Sequence, residues 1–232
     1  GCYVTDGKVQ RAAQVQAKIE AGELTGPLAG VPVLTRTLRA IDRAELVSEI
    51  VVAAQEERME AVADLCAAAA LHKRVKVVKG GASRTESVLA AALECDPRAE
   101  LIAIHDGARP LVRPEMIDEM IRAGWQTQAA APSTPVTDTV KVADDDRWVA
   151  STPDRSTLYA VQTPQVFQAN ILKAALQAAL ASGEPVTDDC AAVERLGKRV
   201  WLAEGDAENI KITTPVDLVI VEALLRQRED GR

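Results

Sequence analysis

Two short segments hold the residues best suited to chemistry: Gly80-Gly81-Ala82-Ser83-Arg84 after VKVV, and His105-Asp106-Gly107-Ala108-Arg109-Pro110 after LIAI. The first offers backbone with little side chain, which lets a planar base approach closely, and Ser87 stands one helical turn beyond Arg84. A Gly-Gly turn also serves purely structural ends. The second sets a carboxylate three residues before a guanidinium. Either Asp106 and Arg109 form a local ion pair that shapes the turn, or Asp106 serves a Mg²⁺ ion or a ribose hydroxyl. Both segments leave predicted strands of a parallel sheet, and open α/β sheets bind ligands beyond the carboxyl ends of such strands.

The elements that must position these loops alternate. Residues 47–53, 75–78 and 100–104 are short β-branched runs, and EERMEAVADLCAAAALH and RTESVLAAALE between them have helical character, so the first half reads as βαβ units. Gly30-Val31-Pro32 opens a helix with Val33, Leu34, Thr37, Leu38 and Ile41 on one face. Residues 126–165 break the pattern and alternate polar with apolar, turning at Asp144-Asp145-Asp146, as a projecting β-hairpin does. Such a ribbon has too little core to stand alone in water, which predicts a second copy of the chain against it. Helices follow over 168–182 and 187–196, the latter opened by Thr187-Asp188-Asp189, then a strand RVWLAE, the segment ENIKIT and a last helix from Thr214-Pro215.

Composition narrows the class. A chain of 232 residues with 47% hydrophobic but 3% aromatic residues builds its core from Ala, Val, Leu and Ile, as α/β proteins do, and a single domain over 1–232 with a β-arm at 135–163 is expected. The net charge of −7 argues against a nucleic-acid coat, so any phosphate site must be locally basic. Cys2, Cys66, Cys95 and Cys190 have no C-x-x-C spacing and read as reduced apolar thiols. No apolar run reaches transmembrane length and no secretion signal opens the chain, so a cytoplasmic protein with no membrane partner is expected. His72 and His105 are too few for a histidine metal cage, and His72 reads as solvated.

Six motifs stand in order: G-G-A-S-R-x-x-S-V, H-D-G-A-R-P, P-V-T-D-T-V-K, D-R-S-x-L-Y-A-V-Q-T-P-Q, V-T-D-D and E-N-I-K-I-T-T-P-x-D-L. Together, over roughly residues 27 to 226, they closely resemble the 2-C-methyl-D-erythritol 4-phosphate cytidylyltransferases. The resemblance implies a Rossmann-like nucleotidyltransferase fold with a mostly parallel sheet, a β-arm exchanged across a homodimer, dependence on Mg²⁺, and CTP and a small polyol phosphate as substrates. It assigns Gly80, Gly81, Ala82, Arg84, Ser87, Asp106, Ala108 and Arg109 to the nucleotide, with any base contact at Ala82 made through backbone. It assigns Asp106 also to the metal. Thr139, Arg155, Thr163 and Thr187 fall to the sugar phosphate, Arg155 reaching the partner's site, and Lys211 lies among the phosphates. Each has a plainer reading: Thr139 a strand residue, Thr187 a helix cap, Lys211 a solvated charge, Arg155 a surface partner of Asp154. Glu208 is either a Mg²⁺ ligand or a capping acid.

The N-terminal stretch departs from the family, which opens with a strand and a glycine-rich A-A-G-x-G-x-R-M loop before a lysine. Here Cys2-Tyr3-Val4 can serve as a first strand, and Gly7, Arg11 and Lys18 keep about the family's mutual spacing, which marks Gly7 for the triphosphate and Arg11 and Lys18 as catalytic cations. Thr5-Asp6 replaces two alanines, and a carboxylate beside a triphosphate is adverse. AAQVQAKIEAGEL is rich in helix formers, and a helix there predicts weak CTP binding.

The expected chemistry needs no general base, since a phosphate monoester is largely ionised at neutral pH. The resemblance therefore implies cytidylyl transfer from CTP to 2-C-methyl-D-erythritol 4-phosphate. Ribitol 5-phosphate as acceptor and a catalytically silent nucleotide-binding dimer are the alternatives.

Overall fold

Short β-branched and alanine-rich runs wind into one mixed sheet with helices packed against it. The structure, a computed structural model, describes residues 27–230 together with the backbone of 3–5, 8–10 and 14–16. We number the strands of the central sheet and its ribbon β1 Gln14–Gln16, β2 Glu49–Ala54, β3 Arg74–Lys79, β4 Leu101–Asp106, β5 Ala129–Pro135, β6 Val142–Ala143, β7 Val149–Ser151, β8 Tyr159–Val161, β9 Gln165–Gln168 and β10 Trp201–Glu204. The helices are α1 Val33–Arg43, α2 Met59–Ala68, α3 Arg84–Glu94, α4 Pro114–Thr127, α5 Ala169–Ser182, α6 Asp189–Arg195 and α7 Pro215–Asp230.

Strands β3, β2, β1 and β4 run parallel side by side. Next comes β9, antiparallel between β4 and β5, and β10 closes the far edge parallel to β5. At Ser133 the two edges of β5 meet Val161 and Glu204, and at Ala130 they meet Val166 and Trp201, so β8 and β9 follow one another along the same edge of β5. The chain steps sideways between them at Gln162-Thr163-Pro164, beside the end of β4. This is the expected Rossmann-like α/β architecture, parallel except for β8 and β9. Strand β2 is buried throughout, as a strand covered on both faces must be.

Three expectations need correcting. The stretch expected as helix contains β1, because the slot between β2 and β4 offers backbone partners on both sides and tertiary pairing overrides local propensity. Tyr3–Thr5 pairs with Lys8–Gln10 as a separate hairpin, so the first strand of the sheet, expected at Cys2-Tyr3-Val4, is Gln14–Gln16. Residues 126–165 are not one hairpin: β5 and β9 belong to the core sheet, and only β6 and β7 form a ribbon, turned where Asp144 Oδ1 accepts from the Asp146 and Trp148 amides. The helix α4 was not anticipated. Gly7, Arg11, Lys18 and Cys2 lie outside the described residues.

Two close contacts tie helices to the sheet and its loops, one at the carboxyl edge and one at mid-strand. In α1 the buried Thr37 hydroxyl reaches Gly107 O at 2.7 Å and so fastens the loop after β4. In α4, Gly124 packs so closely on Val166 of β9 that an added Cβ would lie 2.6 Å from Val166 Cγ1.

Candidate active site

Strand β4 delivers Asp106 to the carboxyl edge of the sheet, and the segment after β10 returns along the same edge. There Lys211 Nζ stands 3.2 Å from Asp106 Oδ2, and Arg109 Nε stands 3.3 Å from the same oxygen. The local Asp106–Arg109 pair is thus present, with Lys211 added from far along the chain. Burial alone would raise the Asp106 pKa. Lys211, Arg109 and, more weakly, Arg84 outweigh it and hold the carboxyl below the ordinary range, so it is ionised at neutral pH.

Arg109 is buried, and its Nη1 donates to Asn209 O at 2.6 Å. Asn209, fully buried, donates from Nδ2 to Thr163 O at 2.8 Å, and Ile212 N donates to Ala108 O at 2.9 Å. These bonds lock residues 209–212 onto the loop after β4 and so set where Lys211 stands. Glu208 accepts from Arg228 of α7 at 2.6 and 2.9 Å, which fits it as an anchor of this segment.

Thr163 is buried behind Asp106, and its hydroxyl accepts from the Asp106 amide at 3.1 Å. That leaves its proton for His105 Nδ1, 3.0 Å away, and fixes the imidazole proton on Nε2, toward Arg109 O. Burial pushes the His105 pKa down to about 4, so the ring is neutral and structural at pH 7.

The glycine loop lies at the end of β3, held to β2 by Gly80 N donating to Ala54 O at 2.7 Å. Ser83 caps α3 by accepting from Glu86 N, while Glu86 Oε2 accepts from Ala82 N at 2.6 Å. Ser87 Oγ accepts from Gly81 N at 3.1 Å. The exposed Gly81 and Ala82 amides therefore already have side-chain acceptors, which a base can replace at small net cost. Arg84, at the first position of α3, reaches Asp189 Oδ2 at 2.5 Å.

Other assigned residues stand apart. Arg155 is exposed, donating to Thr137 O at 2.7 Å rather than pairing with Asp154, whose carboxylate caps the Ser156 amide. Thr139 and Thr187 are exposed, and Asp188 rather than Thr187 caps α6, accepting from Ala191 N at 2.8 Å. His72 is solvent-exposed yet holds Asp42 Oδ2 at 2.9 Å. Asp188, Asp189, Gln165 and Asn209 were not singled out from sequence, because a polar residue beside a helix start reads as a cap and an asparagine in a loop reads as a turn.

Comparison with known proteins agrees with this geometry. A family model described as 2-C-methyl-D-erythritol 4-phosphate cytidylyltransferase matches residues 11–227. The protein of that name from Caldanaerobacter subterraneus is 46% identical over 205 residues, covering 86% of this chain and 88% of that protein. The one from Parasynechococcus marenigrum is 43% identical over 210 residues, covering 90% and 92%. The crystal structure of 4-diphosphocytidyl-2C-methyl-D-erythritol synthase from Anaerococcus prevotii superposes with a TM-score of 0.85 at 30% identity, covering 94% of this chain and 98% of that one. Sequence and fold agree over most of the length, and the chain belongs to the 2-C-methyl-D-erythritol 4-phosphate cytidylyltransferase family.

Proposed function

We propose that the chain transfers a cytidylyl group from CTP to 2-C-methyl-D-erythritol 4-phosphate and releases pyrophosphate, the reaction for which its relatives are named. The observation that carries this reading is the meeting of Lys211 with Asp106 at the carboxyl edge of the sheet, 3.2 Å apart from segments over a hundred residues distant. An acceptor phosphate oxygen forms the new bond to the α-phosphorus of CTP while the bond to the β-phosphate oxygen breaks. The nucleophile is already ionised near neutral pH, so the protein positions two polyanions and screens their charge. Lys211 supplies one such charge, and Arg11 and Lys18 are assigned two more. Gly7, Gly80, Gly81, Ala82, Arg84, Ser87, Ala108 and Arg109 fall to the nucleotide and Thr139, Arg155 and Thr187 to the acceptor, whereas Thr163, expected beside the acceptor, is buried with its hydroxyl engaged by Asp106 and His105. The hydroxyl of Thr163 acts through Asp106.

Mg²⁺ fits this site. Magnesium is commonly held by one or two carboxylates together with substrate phosphates, and Asp106 is an ionised carboxylate at the binding edge. When bound, it would neutralise phosphate charge. A homodimer through the ribbon belongs to the same reading, supported by exposed Val142, Trp148, Val149 and Tyr159. A cytoplasmic location accompanies it, since Cys66, Cys95 and Cys190 are free and buried. Among the described residues no helix is long and apolar enough to cross a membrane.

The test is pyrophosphate release with CTP, UTP or ATP against methylerythritol phosphate and ribitol 5-phosphate. Release with CTP and methylerythritol phosphate above all other pairs is expected. Preference for ribitol 5-phosphate would reassign the acceptor, and no release from folded protein would leave a silent nucleotide-binding dimer.

A further inference from the structure

A buried ion pair close to the centre is one that no step above uses. Arg84, which ends the glycine loop, and Asp189, which begins α6, meet at 2.5 Å across 105 residues of chain. Asp189 is 1% exposed, and its other oxygen, Oδ1, is buried with no hydrogen-bond partner. Burial raises the Asp189 pKa, Arg84 works against that rise, and Asp188 and Asp106 add to it. Burial likewise disfavours the charge on Arg84, but Asp189, Asp106 and Asp188 together hold its pKa above the ordinary value. A half-satisfied buried carboxylate contributes little net stability, because desolvation offsets the attraction. Its geometric effect is larger.

That effect can be traced bond by bond. Asp188 Oδ2 accepts from Gln165 Nε2 at 2.8 Å, and Gln165 Oε1 accepts from Cys190 N at 3.3 Å. Gln165 opens β9 directly after Thr163-Pro164, and Thr163 holds the Asp106 amide. The start of α6 is thereby tied to the strand edge that carries Asp106. The Arg84–Asp189 pair is the link from that frame to the glycine loop.

We propose that Asp189 is a positioning residue that fixes the glycine loop relative to the Asp106–Lys211 centre through Arg84, and so sets nucleotide affinity without touching the nucleotide. The inference rests on the nucleotide reading of the glycine loop given above. It is tested by steady-state kinetics on Asp189→Asn, Arg84→Gln and the double variant, with melting temperatures recorded for each. Asp189→Asn is expected to raise the KM for CTP roughly tenfold while kcat stays within about threefold, and the double variant should be no worse than the poorer single one, because the two side chains act as a unit. Arg84→Lys, which keeps the charge, should fall between wild type and Arg84→Gln. If Asp189→Asn does not fold, Asp189→Glu retains the charge with altered reach and should show the same selective rise in KM. An unchanged KM in folded Asp189 variants, or single effects that multiply in the double variant, would overturn the inference. Absence of CTP turnover by the wild-type chain would instead overturn the nucleotide reading beneath it.

Discussion

At the scale of single residues the centre depends on charge placed at one oxygen. Lys211 and Arg109 both face Asp106 Oδ2, but only Lys211 is half exposed, while Arg109 is buried and committed to Asn209 O. Lys211 is therefore the cation of the pair that can turn toward a phosphate. Lys211→Ala should lower kcat by roughly 10²- to 10³-fold, the usual scale for losing one charge-stabilising group, with a smaller change in the KM for CTP. Pyrophosphate release under saturating substrate checks it, and an unchanged kcat removes Lys211 from the reaction. Lys211 and Asp106 were legible in the sequence because each is a charged group that its motif's resemblance assigns to the phosphates or the metal. Asn209 and Asp189 were not: what they do depends on a partner from another segment, Thr163 or Arg84, and no local spacing announces such a partner.

At the scale of elements, the loops following β3 and β4 came out where the short apolar runs VKVV and LIAI put them: β4 is buried almost throughout and reads as a continuous apolar run, while the half-buried edge strand β3 shows itself by its valines. β1 did not, because Gln14-Val15-Gln16 gains its strand character only from β2 and β4 on either side. With a strand at Gln14–Gln16, the premise of a helix, on which weak CTP binding was expected, fails at those residues. β5 was hidden for a related reason: Ala129, Ala130 and Ala131 favour helix on their own, yet they are buried between β9 and β10. Their small size suits the close approach of α4, whose Gly124 lies against Val166. Gly124→Ala sets two effects against each other. Helix propensity favours alanine by about 1 kcal/mol, whereas forcing a methyl against the fully buried, branched Val166 costs typically 1–3 kcal/mol. Val166 has no room to withdraw, so the second effect should win, and denaturant unfolding should show a net loss of about 1 kcal/mol. A stability equal to or above wild type would mean that β9 yields more readily than its burial implies.

At the scale of the whole molecule the ribbon is the part the monomer does not explain. Val142, Val149 and Tyr159 are exposed on short strands, Trp148 is 75% exposed at the turn, and a two-stranded ribbon of this length has no core of its own. Exposed apolar side chains on a ribbon that lacks its own core call for cover, and a two-fold axis lets two such ribbons cover each other. Arg155 lies on the same projection, its guanidinium donating to Thr137 O, and the proposed dimer assigns it to the site of the other copy. This arrangement makes a prediction that a monomer cannot meet. Arg155→Ala and Lys211→Ala should each be nearly inactive as homodimers. After unfolding and refolding as an equal mixture, half the dimers combine one of each, and each mixed dimer has one site with both defects and one with neither. Roughly a quarter of wild-type activity should therefore return. A mixture no more active than its components would place Arg155 in its own chain's site or outside the reaction. Trp148→Lys, tested by sedimentation, separates those outcomes from a failure to dimerise: it should shift the chain toward monomer and lower activity in step.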